Sequence, residues 1–215
     1  AGFNADGKGY WYAYGPGKGT VTYAGAGYGG KGGNGASGGG GVPYGITNAP
    51  VTSGSGGQYD AGAGNGGGVV WIEASGTASI NGTLRANGEN NWELHGGGGS
   101  GGSILLSCDE LVSSATTRLW VYGVNGTGNG GGVGGGRIAV WYGKVYPVDR
   151  DKLLAGQTNI YGLAVTNIYP LFLGSASVTN GTGFYNQPDS RSAKSGSIIW
   201  LRVQYPRAGG VFSFL

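Results

Sequence analysis

The chain is short of almost everything from which site chemistry is built. Its 215 residues hold one cysteine, one histidine and no methionine, and charged residues make up 11%. A lone Cys108 excludes a disulfide framework within the chain. One His and one Cys fall short of the several ligands a zinc site needs, and EF-hand spacing is missing. Ser-His-Asp or Cys-His chemistry would have to use His95 as its base, and Gly96 to Gly99 beside it offer no partner. His95 is therefore read as a surface or hydrogen-bonded residue. Cys108, inside Ile104-Leu105-Leu106-Ser107-Cys108, is read as a small buried hydrophobe. No run of 18 apolar residues occurs, so no membrane-spanning helix is expected. Thirteen Lys and Arg against ten Asp and Glu give a net charge of +3. The absence of a basic cluster argues against nucleic acid as a partner.

Other chemical signals fail on inspection. Gly17-Lys18-Gly19-Thr20 has part of a phosphate loop but not its full spacing, and no helix pattern follows it. Glu89 with Glu93, Asp109 with Glu110 and Asp149 with Asp151 are close in sequence, as glycosidase carboxylates can be, but such pairs are more often solvated turn residues. The chain is expected not to be an enzyme, with a polysaccharide-degrading β-helix enzyme as the weaker alternative, and no cofactor or metal is expected.

What is present is glycine, 53 residues of it, together with 6 Trp, 14 Tyr and 5 Phe. So much glycine suggests disorder, but disordered chains are poor in aromatics. Strings such as Val69-Val70-Trp71-Ile72 bury apolar area and favour order. Glycine disfavours helix throughout; the clearest helical candidate is Cys108-Asp109-Glu110-Leu111-Val112. Strand-like segments bounded by Gly, Asn or Ser lie near 19–24, 69–74, 77–81, 83–87, 103–108, 117–122, 137–142, 159–165, 176–179, 197–204 and 211–215. Residues 32–59 and 153–188 carry no charge. Such stretches fit either packing against another surface or a neutral polar surface.

An internal repeat organises the first two thirds. Gly66-Gly67-Gly68-Val69-Val70-Trp71-Ile72 aligns with Gly101-Gly102-Ser103-Ile104-Leu105-Leu106-Ser107 at an offset of 35, and then with Gly135-Gly136-Arg137-Ile138-Ala139-Val140-Trp141 at 34. Leu84-Arg85-Ala86-Asn87-Gly88 matches Leu119-Trp120-Val121-Tyr122-Gly123, again 35 apart. Each unit reads glycine tract, strand, turn, strand, glycine loop. Such units bury their apolar faces only by stacking. The expectation is an all-β, glycine-rich β-solenoid of parallel β-helix type followed by a β-rich C-terminal subdomain. The alternative is a β-sandwich with long glycine-rich loops or polyglycine-II segments. The boundary is placed at 147, with a glycine-rich β-repeat region over 1–147 and the C-terminal subdomain or cap over 148–215.

Residues 66–88 (GGGVVWIEASGTASINGTLRANG), 96–106 (GGGGSGGSILL) and Gly134-Gly135-Gly136-Arg137-Ile138-Ala139-Val140-Trp141-Tyr142 resemble the glycine-rich repeats of large secreted and cell-surface bacterial proteins. Val42-Pro43-Tyr44-Gly45 followed by Gly54-Ser55-Gly56-Gly57 is similar to a further segment of such proteins. The resemblance covers about residues 15–143. It implies a parallel β-helix, an extracellular or cell-surface location, and a structural or adhesin-like role. It carries over no catalytic residue. The opening Ala1-Gly2-Phe3, without Met, fits a mature product or a partial chain.

The leading functional expectation is an extracellular structural subunit that self-assembles into a fibre, filament, sheath or matrix, with itself as partner through strand addition or stacking. The alternative is a cell-surface adhesin that binds glycans. The expected assembly contacts are Tyr10, Trp11, Tyr12 and Tyr14 at one end and Val211, Phe212, Phe214 and Leu215 at the other. Asn81, Asn125 and Asn180, each in Asn-Gly-Thr, are glycosylation acceptors by pattern and Asn-Gly turns by local chemistry.

Overall fold

The computed structural model describes residues 2–36, 38–58, 62–90, 95–166, 169, 171–183 and 192–205. Eleven strands and one helix follow in chain order: β1 (Gly2–Asn4), β2 (Val69–Glu73), β3 (Thr77–Ile80), β4 (Thr83–Arg85), β5 (Ser103–Cys108), β6 (Glu110–Ser113), β7 (Arg118–Trp120), β8 (Arg137–Tyr142), α1 (Pro147–Leu154), β9 (Leu163–Thr166), β10 (Ser175–Ser177) and β11 (Ser197–Val203). They form three sheets, β1-β4-β7-β10, β2-β5-β8-β11-β9 and β3-β6. Every pairing is parallel except β11 with β9.

This corrects the solenoid expectation. The largest sheet is mixed, because β9 returns antiparallel along β11. A helix interrupts the strand pattern, and the three sheets do not close into a solenoid among the described residues. The sequence repeat sets which strands lie side by side, but it does not dictate how the chain between them travels. Much of that chain is glycine run rather than strand.

The repeat offset also needs correction. Aligning glycines puts Val69 opposite Ile104, whereas the ladder pairs Val69 with Ser103 and Val70 with Ile104. Register follows burial, since a slip of one residue turns every side chain to the other face. In the observed register Val70, Ile104 and Ile138 share one core. Leu84 does pair with Leu119, at the expected offset of 35.

Within the five-stranded sheet β5 and β8 are buried on both faces, which is why they read as continuous apolar runs. Ile104, Leu106, Ile138 and Val140 join Leu84, Leu111 and Leu119 from the other sheets in one core. The opposite face, with Leu105, Ala139, Trp141 and Leu201, is covered by Ala49 and by Leu153 of α1. Two polar anchors hold the 44–52 segment over that face. The Trp141 indole donates to the Asn48 carbonyl at 2.7 Å. The buried Arg137 guanidinium donates to Thr47 Oγ1 at 2.7 Å and to the Tyr44 carbonyl at 3.1 Å. Its cation also lies 5.5 Å from the Tyr28 ring centroid, a favourable site for a partly desolvated charge.

Around the sheets lies a layer of glycine runs held by backbone bonds. Residues 64–68 show the principle. Gly64 donates to Gly97, Gly66 to Tyr10, Gly67 to Ser100 and Gly68 to Ala5, while Gly54 and Gly57 donate to Gly67 and Gly64. One segment thus bonds to three separate stretches of chain, 5–10, 54–57 and 97–100, where a sheet strand has two neighbours. Side chains would prevent this approach. A Cβ on Gly99 would meet the Asn65 carbonyl oxygen at 1.8 Å, and one on Gly67 the Ala86 oxygen at 2.0 Å. No glycine in 66–68, 97–102 or 130–136 has a positive φ. These runs need glycine for space rather than for backbone handedness.

Some local expectations change. Residues 19–24 form bends and a turn rather than a strand, with Tyr23 at φ 69°. The helical candidate at 108–112 is largely β6, whose Leu111 pairs with Ala78 of β3 and is buried in the core. The helix lies instead at 147–154, with Pro147 in the first turn, Asp149 near its N-terminus and Lys152 in its last turn, an arrangement that suits the helix ends. The boundary expected at 147 falls at the start of α1. The strands β10 and β11 beyond it extend the two large sheets begun before it. The expected strand at 211–215 lies outside the described residues.

Candidate functional site

Two surfaces concentrate exposed apolar and unpaired groups. The first is the open end of the large sheet. Ser103 donates its N–H to the Gly68 carbonyl, and Ala74 donates to the Ser107 carbonyl. In a parallel ladder alternate residues address the same neighbour, so Gly68, Val70, Ile72 and Ala74 face β5. The backbone groups of Val69, Trp71 and Glu73 face the other way, where no strand lies among the described residues. β1 is likewise an edge strand, exposed along its length with Phe3 at its centre. The Trp71 indole donates to Glu73 Oε1 at 3.0 Å and lies 5.7 Å from the Arg150 guanidinium, which itself binds Glu73 at 2.9 Å.

The expected aromatic contacts lie near this end. Tyr10 donates its N–H to Gly54, Ala13 to Gly57, and Gly56 donates to the Tyr14 carbonyl. This backbone clamp on the glycine layer turns the rings outward. Trp11 is 69% and Tyr14 66% exposed, Tyr10 is also exposed, and Tyr12 is half-buried. Val211, Phe212, Phe214 and Leu215 lie outside the described residues.

The second surface is a cleft of about 710 Å³ where β8 and β11 end. Parallel strands deliver their C-terminal residues to one side, which places Tyr142 beside Arg202. The Tyr142 ring meets Tyr169 edge-on at 4.6 Å, and its hydroxyl lies 3.0 Å from Thr166 Oγ1. Tyr169 is backed by Trp200, 6.5 Å away and nearly parallel. Tyr146 and Tyr205, which also line the cleft, pack at 4.7 Å, and the Lys144 ammonium sits 5.3 Å from the Tyr146 ring centroid. The Tyr205 hydroxyl donates to Asp149, which also binds Lys152 at 3.0 Å. These two bonds, the tyrosine first, hold the Asp149 carboxyl below its ordinary range. Burial and that carboxylate push the Tyr205 hydroxyl up to about 12. Asp109 lines the cleft as well and accepts the Gly143 N–H at its carbonyl. Among the described residues Lys144, Arg202 and Asp109 form no ion pair.

The remaining candidates are scattered. His95 Nδ1 accepts the Asn129 N–H at 3.3 Å, and its ring lies 5.9 Å from Tyr23. Cys108 is buried, which raises its thiol to about 11 and makes it a poor nucleophile. Glu89 accepts from Asn65 and Asp151 pairs with Arg150; Glu93 lies outside the described residues. No group of three or more His, Cys, Asp or Glu among the described residues could hold a metal ion, and no helix there is long and apolar enough to cross a membrane. Asn81 sits exposed between β3 and β4, where its Oδ1 accepts from Ser114 and Thr116. Asn125 is exposed and its Oδ1 accepts twice from Thr182. Asn180 is half-buried and uses its amide nitrogen on the Gly181 carbonyl.

Sequence reasoning missed the tyrosine cleft entirely. Its residues run from 109 to 205 and meet only through strand crossovers. The available signal was a series of tyrosines beside single basic residues at 142–146 and 202–205. No family model matches the chain, and no curated protein or solved structure matches it significantly.

Proposed function

We propose that the chain is a non-enzymatic structural subunit of an extracellular assembly, and that it joins a second copy by strand addition at the open end formed by β1 and β2. The observation that carries this reading is the outward row of backbone groups on Val69, Trp71 and Glu73. Unpaired parallel edges recruit strands, and proteins normally blunt them with charge, proline or a covering element. Here the edge continues a glycine run whose Gly66 donates to the Tyr10 carbonyl, in the segment that exposes the rings of Tyr10, Trp11 and Tyr14. The far edge of the same sheet is different, because β9 runs antiparallel along β11. Joining through β2 therefore favours pairing of like ends, and longer polymers require the edges of β6 and β10 as well.

Sedimentation velocity over a concentration series, with negative-stain imaging, tests the reading. Wild type is expected to associate. Val69→Pro removes one outward N–H at the first residue of the strand, a position proline tolerates, and is expected to weaken association about tenfold while leaving the fold intact. A wild-type protein that stays monomeric at high concentration contradicts the reading.

A further inference from the structure

We infer that the tyrosine cleft is a binding site for an acidic, pyranose-containing glycan. The inference does not depend on the assembly reading, since the cleft is lined from the ends of β8 and β11 and not by the outward backbone groups of β2. Three observations carry it. The first is aromatic: the exposed Tyr146 and the half-buried Tyr205 pack together and offer ring surface to the cleft, which Tyr142 and Tyr169, largely buried in the core, also line. Aromatic rings with a polar tip suit a ligand that alternates C–H faces with hydroxyls. The second is preorganisation. Tyr205 is fixed by its bond to Asp149, Tyr142 by its contact with Thr166, and Tyr169 by Trp200 behind it. Little side-chain freedom remains to be lost on binding, which favours affinity.

The third is charge. Lys144 and Arg202 line the cleft, are exposed, and have no carboxylate partner among the described residues. Among the described residues Asp109 is the one carboxylate lining the same cleft, and it forms no ion pair there. Two cations against one anion favour a ligand that brings negative charge, and a guanidinium pairs with a carboxylate in two parallel bonds. Asp109 is left to accept sugar hydroxyls. Asp149 is already satisfied by Tyr205 and Lys152 and does not offset the cations.

Isothermal titration of the whole chain is the test. The probes are linear oligogalacturonate, oligomannuronate and hyaluronan oligosaccharides, with the neutral hexose oligomers of matching length for the first two. At least one acidic probe is expected to bind, more tightly than its neutral counterpart where one is matched, and to weaken as salt rises. Arg202→Gln is expected to weaken the acidic probe about tenfold and a neutral one less than about twofold. Tyr146→Ala is expected to weaken both about tenfold. Lys144→Ala, an exposed substitution, provides a second variant should Tyr146→Ala unfold, and unchanged thermal unfolding checks each protein. Absence of heat with every probe overturns the inference. So does equal affinity for acidic and neutral oligomers, or binding that survives Arg202→Gln unchanged. Glycan binding by a wild-type protein that stays monomeric at high concentration removes the assembly reading alone, and association without glycan binding removes this inference alone.

Discussion

The glycine layer and the stacked sheets hold together by different means. In the sheets, side chains fill the space between backbones, as where Ile104, Leu106, Ile138 and Val140 meet Leu84 and Leu119. In the layer, backbone meets backbone, and the contact distance is set by the absence of a side chain. Burial of apolar area stabilises the first at roughly 25 cal/mol per Å². Hydrogen bonds and close dispersion contacts stabilise the second, against glycine's high conformational entropy in the unfolded chain. The difference teaches that a glycine-rich stretch can be a frame instead of a linker, provided its carbonyls and amides find partners in several directions.

Substitutions can break or sharpen this contrast. The largest effect is expected in the layer. Gly99→Ala drives a Cβ against backbone on which nothing can rotate away, and is expected to cost about 4 kcal/mol or more, above ordinary overpacking. Gly76→Ala is its control, because nothing lies within 4 Å of a Cβ there. Chemical denaturation that finds the two equal would break the contrast. A smaller loss is expected in the sheets. Ile138 is fully buried, and Ile138→Ala should cost about 3 kcal/mol, with Ile138→Val near 1 kcal/mol. A graded response of that kind is what a side-chain core gives and what the glycine layer should not give.

The smallest effect concerns pH. The Asp149 carboxyl is held below its ordinary range by the Tyr205 hydroxyl and then by Lys152. A depressed folded value adds stability above the unfolded carboxylate pKa, about 4, and loses it as pH falls through the lower folded value. Asp149→Asn should therefore lower the melting temperature at neutral pH and match wild type in strong acid. A difference that persists undiminished in strong acid would assign the effect to packing rather than ionisation. The glycine runs carry no titratable side chain, so Gly99→Ala should show the same penalty at both pH values.

Much of the strand content was legible because alternation and β-branching mark buried strands: β2, β3, β4, β5, β7, β8 and β11 lie where the apolar strings are. The helix was not, although Pro147, Asp149 and Lys152 carry the expected helix-end chemistry. Its neighbours are apolar and strand-like, and its one deeply buried apolar side chain, Leu153, gives no periodicity to read. The glycine tracts align at an offset of 35, one residue away from the ladder, because the core selects register through Val70 and Ile104. The exposure of Trp11 and Tyr14 depends on backbone bonds to Gly54, Gly56 and Gly57, more than forty residues distant. The tyrosine cleft is illegible for the same reason at larger scale, since Asp109, Tyr142 and Arg202 come from separate strands or their ends.

Hydrogen–deuterium exchange of the amides, read segment by segment, tests the frame most directly. If the glycine layer is a bonded lattice, residues 97–102 and 130–136 exchange about as slowly as β5 and β8. Exchange there as fast as in an exposed loop would contradict the account.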